Sequence, residues 1–107
     1  MKRLNFSRRY KGKIKKGVKK QTIRLSTNLK EGDEVQIVAG KEVLGIAKIV
    51  KVERKMFEEL TDEDARKDGF ENLNQLMKAL KRHYGKLSGK KKVCIISFEV
   101  QQNEETS

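Results

Sequence analysis

The chain has 107 residues, 26 Lys or Arg against 15 Asp or Glu, a formal net charge of +11, and 38% charged against 36% hydrophobic residues. That length holds one domain with one modest core, here taken as residues 1–107. The lone cysteine, Cys94, excludes an internal disulfide framework and a multi-cysteine zinc site. No apolar run reaches the ~20 residues of a membrane span or resembles a secretory signal, so a cytoplasmic domain is expected.

Leu4 and Phe6 alternate with polar residues as in a short strand. Tyr10, Ile14 and Gly17 suit a short basic helix that stops at the glycine. Ile23 and Leu25, between Thr22, Arg24 and Ser26, read as a half-buried strand. A turn over Leu29 to Asp33 leads into a strand carrying Val35, Ile37 and Ala39, and Gly40 marks a hairpin. The stretch from Val43 to Val52 is the next strand.

The middle is helical. Thr61 with Asp64 three residues later is an N-cap signature, Leu60 is placed to staple that turn, and Gly69 ends the helix. Asn72 and Gln75 repeat the signature, and Leu73, Leu76, Met77 and Leu80 form one apolar stripe closed by His83, Tyr84 and Gly85. Val93 to Val100 reads as a buried strand, and residues 101–107 as a frayed polar tail. Strand, helix, three strands, two helices, strand: this order predicts an α+β fold, a small barrel with helical insertions.

The charge is segregated. Residues 1–24 hold eleven cations and no acid, numerically the whole net charge of +11. Lys78 to Lys92 form a second cationic group without an acid, while acids gather between Glu58 and Glu71. Separation of this kind makes a positive face that attracts phosphate backbones. Lys2, Arg3, Arg8, Arg9, Lys11, Lys13, Lys15 and Lys16 are the candidate RNA-binding residues. The alternative is a lysine-rich solubilising surface.

No glycine-rich phosphate loop is present in the sequence. His83, the single histidine, reads as a partner for a helix C-terminus, and Cys94 as a small buried hydrophobe. Tyr10 and Tyr84 sit beside cations, where an exposed ring can stack on a base. The informative stretch is Gly17 to Arg24. On a strand Thr22 and Arg24 share one face, with Lys19 and Lys20 just before them. Two cations beside a hydroxyl make either an anion site or a place to activate threonine; the competing reading is the solvent face of an edge strand.

Gly17-x-Lys19-x-x-Thr22-x-Arg24, followed by Gly32-Asp33-Glu34-Val35, Gly45-x-Ala47-x-Ile49, Leu60 to Ala65, Asp68-Gly69-Phe70 and Ile96-x-Phe98, resembles the ASCH domain of the PUA-like superfamily. The resemblance spans roughly residues 4–100. It implies a small PUA-like β-barrel with helical insertions, a cleft beside the barrel, and RNA or nucleotide as ligand. One branch of that family is amidohydrolases that deacetylate acetylcytidine with a lysine, a threonine and a glutamate. Lys19 and Thr22 fall on the first two positions, and Asp68, one methylene shorter, on the third. The resemblance thus implies catalytic roles for Lys19, Thr22 and Asp68 and a ligand contact from Arg24; Lys20 and Tyr10, in the same basic segment, are further candidate ligand contacts. Among so many cations Asp68 is expected to be held ionised. Two readings stay open: an RNA- or nucleotide-binding module, or an acetylcytidine amidohydrolase. Neither calls for a metal or cofactor, and a monomer is expected.

Overall fold

The computed structural model describes residues 1–101. Five strands, β1 (Lys2–Phe6), β2 (Gln21–Arg24), β3 (Glu34–Ala39), β4 (Glu42–Met56) and β5 (Lys92–Val100), form one sheet in the order β1-β3-β4-β5-β2. Helix α1 (Lys11–Lys15) follows a 3-10 turn at Arg8–Tyr10, and α2 (Asp62–Lys67) and α3 (Leu73–Tyr84) lie between β4 and β5. The element order matches the sequence reading. The fold is α+β, and the barrel is a half-barrel: β1 and β2 are its two edges. The sheet is mixed, because β1 runs parallel to β3 while the other pairs are antiparallel.

Two register shifts help curl the sheet. One falls between Ile37 and Val38 on β3, the other between Ile49 and Lys51 on β4. An extra residue in one strand bends and twists it locally. The long β4 runs four residues beyond the expected end at Val52, to Met56, because β5 pairs with it as far as Lys92. Gln101, assigned to the tail, still donates its amide to the Ile46 carbonyl at 2.9 Å; the remainder of that tail lies outside the described residues.

Core residues fall on both faces of the sheet. Leu4, Phe6, Val35, Ile37, Ala47, Ile49, Ile96 and Phe98 fill the concave side, with Tyr10 and Ile14 beneath them. Ile23, Val93 and Ile95 pack instead against Leu60, Ala65, Leu76 and Leu80 of the helical layer. Thr22 is paired with Ile96, and Ile23 with Ile95, so alternation on β2 and β5 serves two cores at once. That is why Val93 to Ile96 of β5 are apolar without alternation.

The helix signals act as expected. Asp64 N donates to Thr61 Oγ1 at 3.2 Å, and Thr61 N donates back to Asp64 Oδ2 at 3.0 Å. Gln75 N donates to Asn72 Oδ1 at 3.0 Å, although the Gln75 side chain accepts from Glu71 N rather than from Asn72. Leu76 and Leu80 are buried, and Leu73 and Met77 are half-buried at the stripe's margin.

Candidate functional site

Lys19 owes its position to the end of α1. Gly17 takes φ +76, Gly17 N donates to the Ile14 carbonyl at 3.1 Å, and Val18 N to the Lys13 carbonyl at 2.9 Å. These are the two bonds of a Schellman motif, which needs a residue in the left-handed region. The chain then turns into β2 along the C-terminal end of α2. Lys20 N donates to the Lys67 carbonyl at 2.9 Å, and Gln21 Nε2 to the Asp64 carbonyl at 2.9 Å.

That contact buries Lys19 and Asp68 together, at 3% and 4% exposure. Lys19 Nζ donates to Asp68 Oδ1 at 2.9 Å and to the Asp68 carbonyl at 3.1 Å. Its ammonium also lies 4.8 Å from the centroid of the Tyr10 ring, with Phe6 and Phe70 at 5.7 and 5.9 Å. Attraction between a cation and ring faces supports the charge there. Lys13 Nζ caps the next carbonyl, Gly69 O, at 2.7 Å. Gly69 sits at φ +95, and a Cβ there would come within 3.2 Å of Lys19 Cβ. Only glycine allows the α2 end to approach this closely.

Thr22 and Arg24 share the concave side of β2, as alternation requires. Arg24 Nε donates to Thr22 Oγ1 at 3.1 Å, and Arg24 Nη2 donates to the Asn5 carbonyl of β1. A side chain from one edge strand thus reaches the other across the open seam of the half-barrel. Thr22 is 5% exposed, which excludes the reading of this stretch as a plain solvent face.

At the seam lies a cavity of about 200 Å3, lined by Lys19, Thr22, Arg24 and Tyr10 together with Asn5, Phe6, Ser7, His83 and Tyr84. No acid lines it. Tyr10 Oη and His83 Nε2 are 2.8 Å apart, and Tyr84 Oη donates to the Ile23 carbonyl at 3.0 Å, tying α3 to β2. Burial and the nearby cations Arg82, Arg9, Lys19 and Arg24 hold His83 below its ordinary pKa, so the ring is neutral at pH 7. Burial raises the Tyr84 phenol. A larger groove of about 690 Å3 lies along Ile14, Lys16, Lys19, Lys20, Leu44 and Phe98, and Glu99 in its wall makes it less suited to an anion.

Of the residues singled out from the sequence, Lys19, Thr22, Arg24 and Tyr10 meet at this cavity. Asp68 does not line it and reaches it through Lys19. Lys20 is exposed and lines two other grooves. Lys2 pairs with Asp33 at 3.2 Å and Lys11 with Glu42 at 2.7 Å, while Arg3, Arg8, Arg9, Lys15 and Lys16 remain exposed. The electrostatics of Asp68 run against the expectation. Burial outweighs Lys19, Arg24 and Lys13 and pushes its carboxyl up to about 6. Desolvation lowers Lys19 for the same reason. Asn5, Phe6, Ser7, His83 and Tyr84 join the site without having been singled out as ligands, apart from Tyr84 as a stacking candidate. The helix-end cluster His83-Tyr84, one turn beyond the apolar stripe, was the signal for two of them.

The ASCH domain family model matches residues 2–102. The chain belongs to that family. In fold, this ASCH domain is similar to an ASCH domain from Lactobacillus crispatus JV V101, with a TM-score of 0.75 and 13% identity over 83% of this chain and 68% of that one. It is similar too to protein EF3133 of Enterococcus faecalis V583, of family DUF984, with a TM-score of 0.69 and 17% identity over 94% of this chain and 80% of that one. No curated protein sequence matches the chain at a significant level. Among the described residues no helix is long and apolar enough to cross a membrane.

Proposed function

We propose that this ASCH domain binds RNA or a nucleotide, receiving one base in the seam cavity while the exposed cations of residues 1–24 hold phosphates. The observation that carries this reading is the cavity itself. It has no acid among its described lining residues, offers donors from Lys19, Thr22 and Arg24, and has the aromatic rings of Phe6, Tyr10 and Tyr84 in its wall. At about 200 Å3 it is smaller than the ~300–1,000 Å3 of drug-sized pockets, which suits one flat ring. Base recognition by single-stranded RNA readers combines stacking on aromatic rings with hydrogen bonds to the base edge. The test is a titration with nucleosides and short RNAs. Arg24→Ala should weaken binding more than Thr22→Ala, and the opposite order defeats the reading.

A second reading, hydrolysis of the acetyl group of acetylcytidine, is favoured by the buried Lys19–Asp68 pair next to Thr22. Burial brings the two pKa values toward each other, which eases passage of a proton from the ammonium to the carboxylate. A neutral Lys19 then takes the Thr22 hydroxyl proton as Oγ1 attacks the acetyl carbonyl, and the leaving cytidine amine receives that proton. Water hydrolyses the acetyl-threonine ester to acetate and restores the hydroxyl. Arg24 would polarise the carbonyl. Incubation with acetylcytidine, followed by chromatography of released cytidine, tests this. Turnover that vanishes in Thr22→Ala supports it, and no cytidine release removes it.

A further inference from the structure

Arg24 lines two concavities. One is the seam cavity; the other is a groove of about 370 Å3 lined by Lys2, Arg3, Ser26, Thr27 and Asn28 among others. Among the described residues the groove, like the cavity, has no acid in its wall. Arg24 spends two of its five N–H groups on Thr22 Oγ1 and the Asn5 carbonyl, so donors remain for a ligand. Its Cζ stands 5.2 Å from the Phe6 ring centroid, a cation–ring contact that supports the charge. Thr27 Oγ1 accepts from Leu29 N at 3.1 Å and keeps its own proton to donate. Lys2 Nζ bridges Asp33 Oδ2 at 3.2 Å and the Asn28 carbonyl at 3.4 Å at one end of the groove. Arg3 is exposed.

We infer that this groove is a phosphate subsite: a nucleotide whose base occupies the seam cavity passes its sugar over Arg24 and sets its phosphate between Arg24, Arg3 and the hydroxyls of Ser26 and Thr27. The inference rests on the base-binding reading of the cavity. Planar guanidinium forks and hydroxyl donors match a phosphoryl group, and one arginine shared by both concavities couples base and phosphate in a single ligand. The same chemistry serves the terminal phosphate of a mononucleotide or a diester within a strand. Arg9 and Arg82, which act on His83 at the opposite side of the cavity, are the competing phosphate holders.

The experiment is a set of titrations followed by amide chemical shifts and affinity, with cytidine, cytidine 5′-monophosphate, a cytidine-centred trinucleotide without terminal phosphates, and inorganic phosphate. The monophosphate should bind at least about tenfold more tightly than cytidine, since it adds charge-assisted hydrogen bonds from Arg24 and Arg3. Arg3→Ala should bring that ratio near one, and so should the milder Thr27→Val in part. Inorganic phosphate alone should move the amides of Arg3, Thr27 and Asn28. A gain with the monophosphate only assigns a terminal phosphate; an equal gain with the trinucleotide assigns a strand diester. Equal binding of cytidine and its monophosphate, with groove amides unmoved by phosphate, overturns the subsite and leaves the base cavity standing. A gain that survives Arg3→Ala and disappears in Arg82→Ala overturns it too. Should cytidine leave the cavity amides unmoved while phosphate moves those of the groove, the base reading fails and the subsite stands.

Discussion

The Lys19 ammonium lies 2.9 Å from a carboxylate oxygen of Asp68, and both side chains are almost wholly withdrawn from solvent. Removing one partner strands the other charge in a dry place, which costs about 3–5 kcal/mol, whereas replacing both with apolar groups is close to neutral. Lys19→Met and Asp68→Leu should each lose that much, and the double variant should recover most of it. Chemical denaturation of the four proteins reads the cycle. Additive losses would mean the pair is not coupled.

The pH dependence follows from the same burial. The Asp68 carboxyl titrates near 6 in the folded chain, above its ordinary value of 3.8. Between those values the folded state binds more protons than the unfolded chain. Its contribution to stability is therefore complete below about pH 4 and is lost as the pH rises through 6. Lys19, lowered from 10.5, acts in the other direction: its contribution is present at high pH and is lost as the pH falls through its folded value. As the pH rises from about 4 to 6, denaturant midpoints should fall less, or rise more, in Asp68→Asn than in the parent. Parallel curves would contradict the raised carboxyl.

Two glycines separate backbone strain from close approach. Gly17→Ala meets no atom within 4 Å and carries only the left-handed penalty, roughly 1–2 kcal/mol. Gly69→Ala carries that penalty and pushes on Lys19 as well. It should cost more stability and also weaken cytidine binding. Equal losses at the two positions would remove Gly69 from the architecture of the site.

Leu76 is fully buried between α3 and the sheet. Its truncation to alanine should cost about 2–5 kcal/mol. A loss under ~0.5 kcal/mol by thermal or chemical denaturation would contradict the packing described for that helix.

Binding to a mixed RNA should depend steeply on salt. With six or more phosphate contacts, affinity falls by ~10³ or more between 50 and 200 mM salt. Reversing Arg8, Arg9, Lys15 and Lys16 to glutamate should flatten that slope, while reversing Lys86 and Lys90 should change it less. A salt-independent affinity would end the RNA reading.

What the sequence made legible was local. The caps at Thr61 and Asn72, the stripe on α3 and the glycine stop at Gly17 each depend on residues within a few positions, and each stands in the structure. The shared face of Thr22 and Arg24 followed from strand alternation in the same way. The far end of β4 was not legible, because Glu53, Arg54 and Lys55 look like loop until β5 is seen beside them. The same holds for Asn5 and Ser7, which enter the site only because the two edges of the sheet curl toward each other. The sign of the Asp68 shift was also hidden. Counting neighbouring cations says the acid should be stabilised, and only burial, a property of the whole fold, reverses the sign.

The pairing of β2 with β5 also has a consequence for synthesis. Gln21 meets Ser97 and Arg24 meets Cys94, so among the described residues the strand that carries Thr22 finds its ladder partner seventy or more positions further on. A nascent chain therefore exposes its eleven N-terminal cations and its future binding residues before the strand that organises them has been made. Long-range pairings of this kind are slow to form. The cavity therefore waits on β5, and a chain cut short before that strand would keep its N-terminal charge without the cavity.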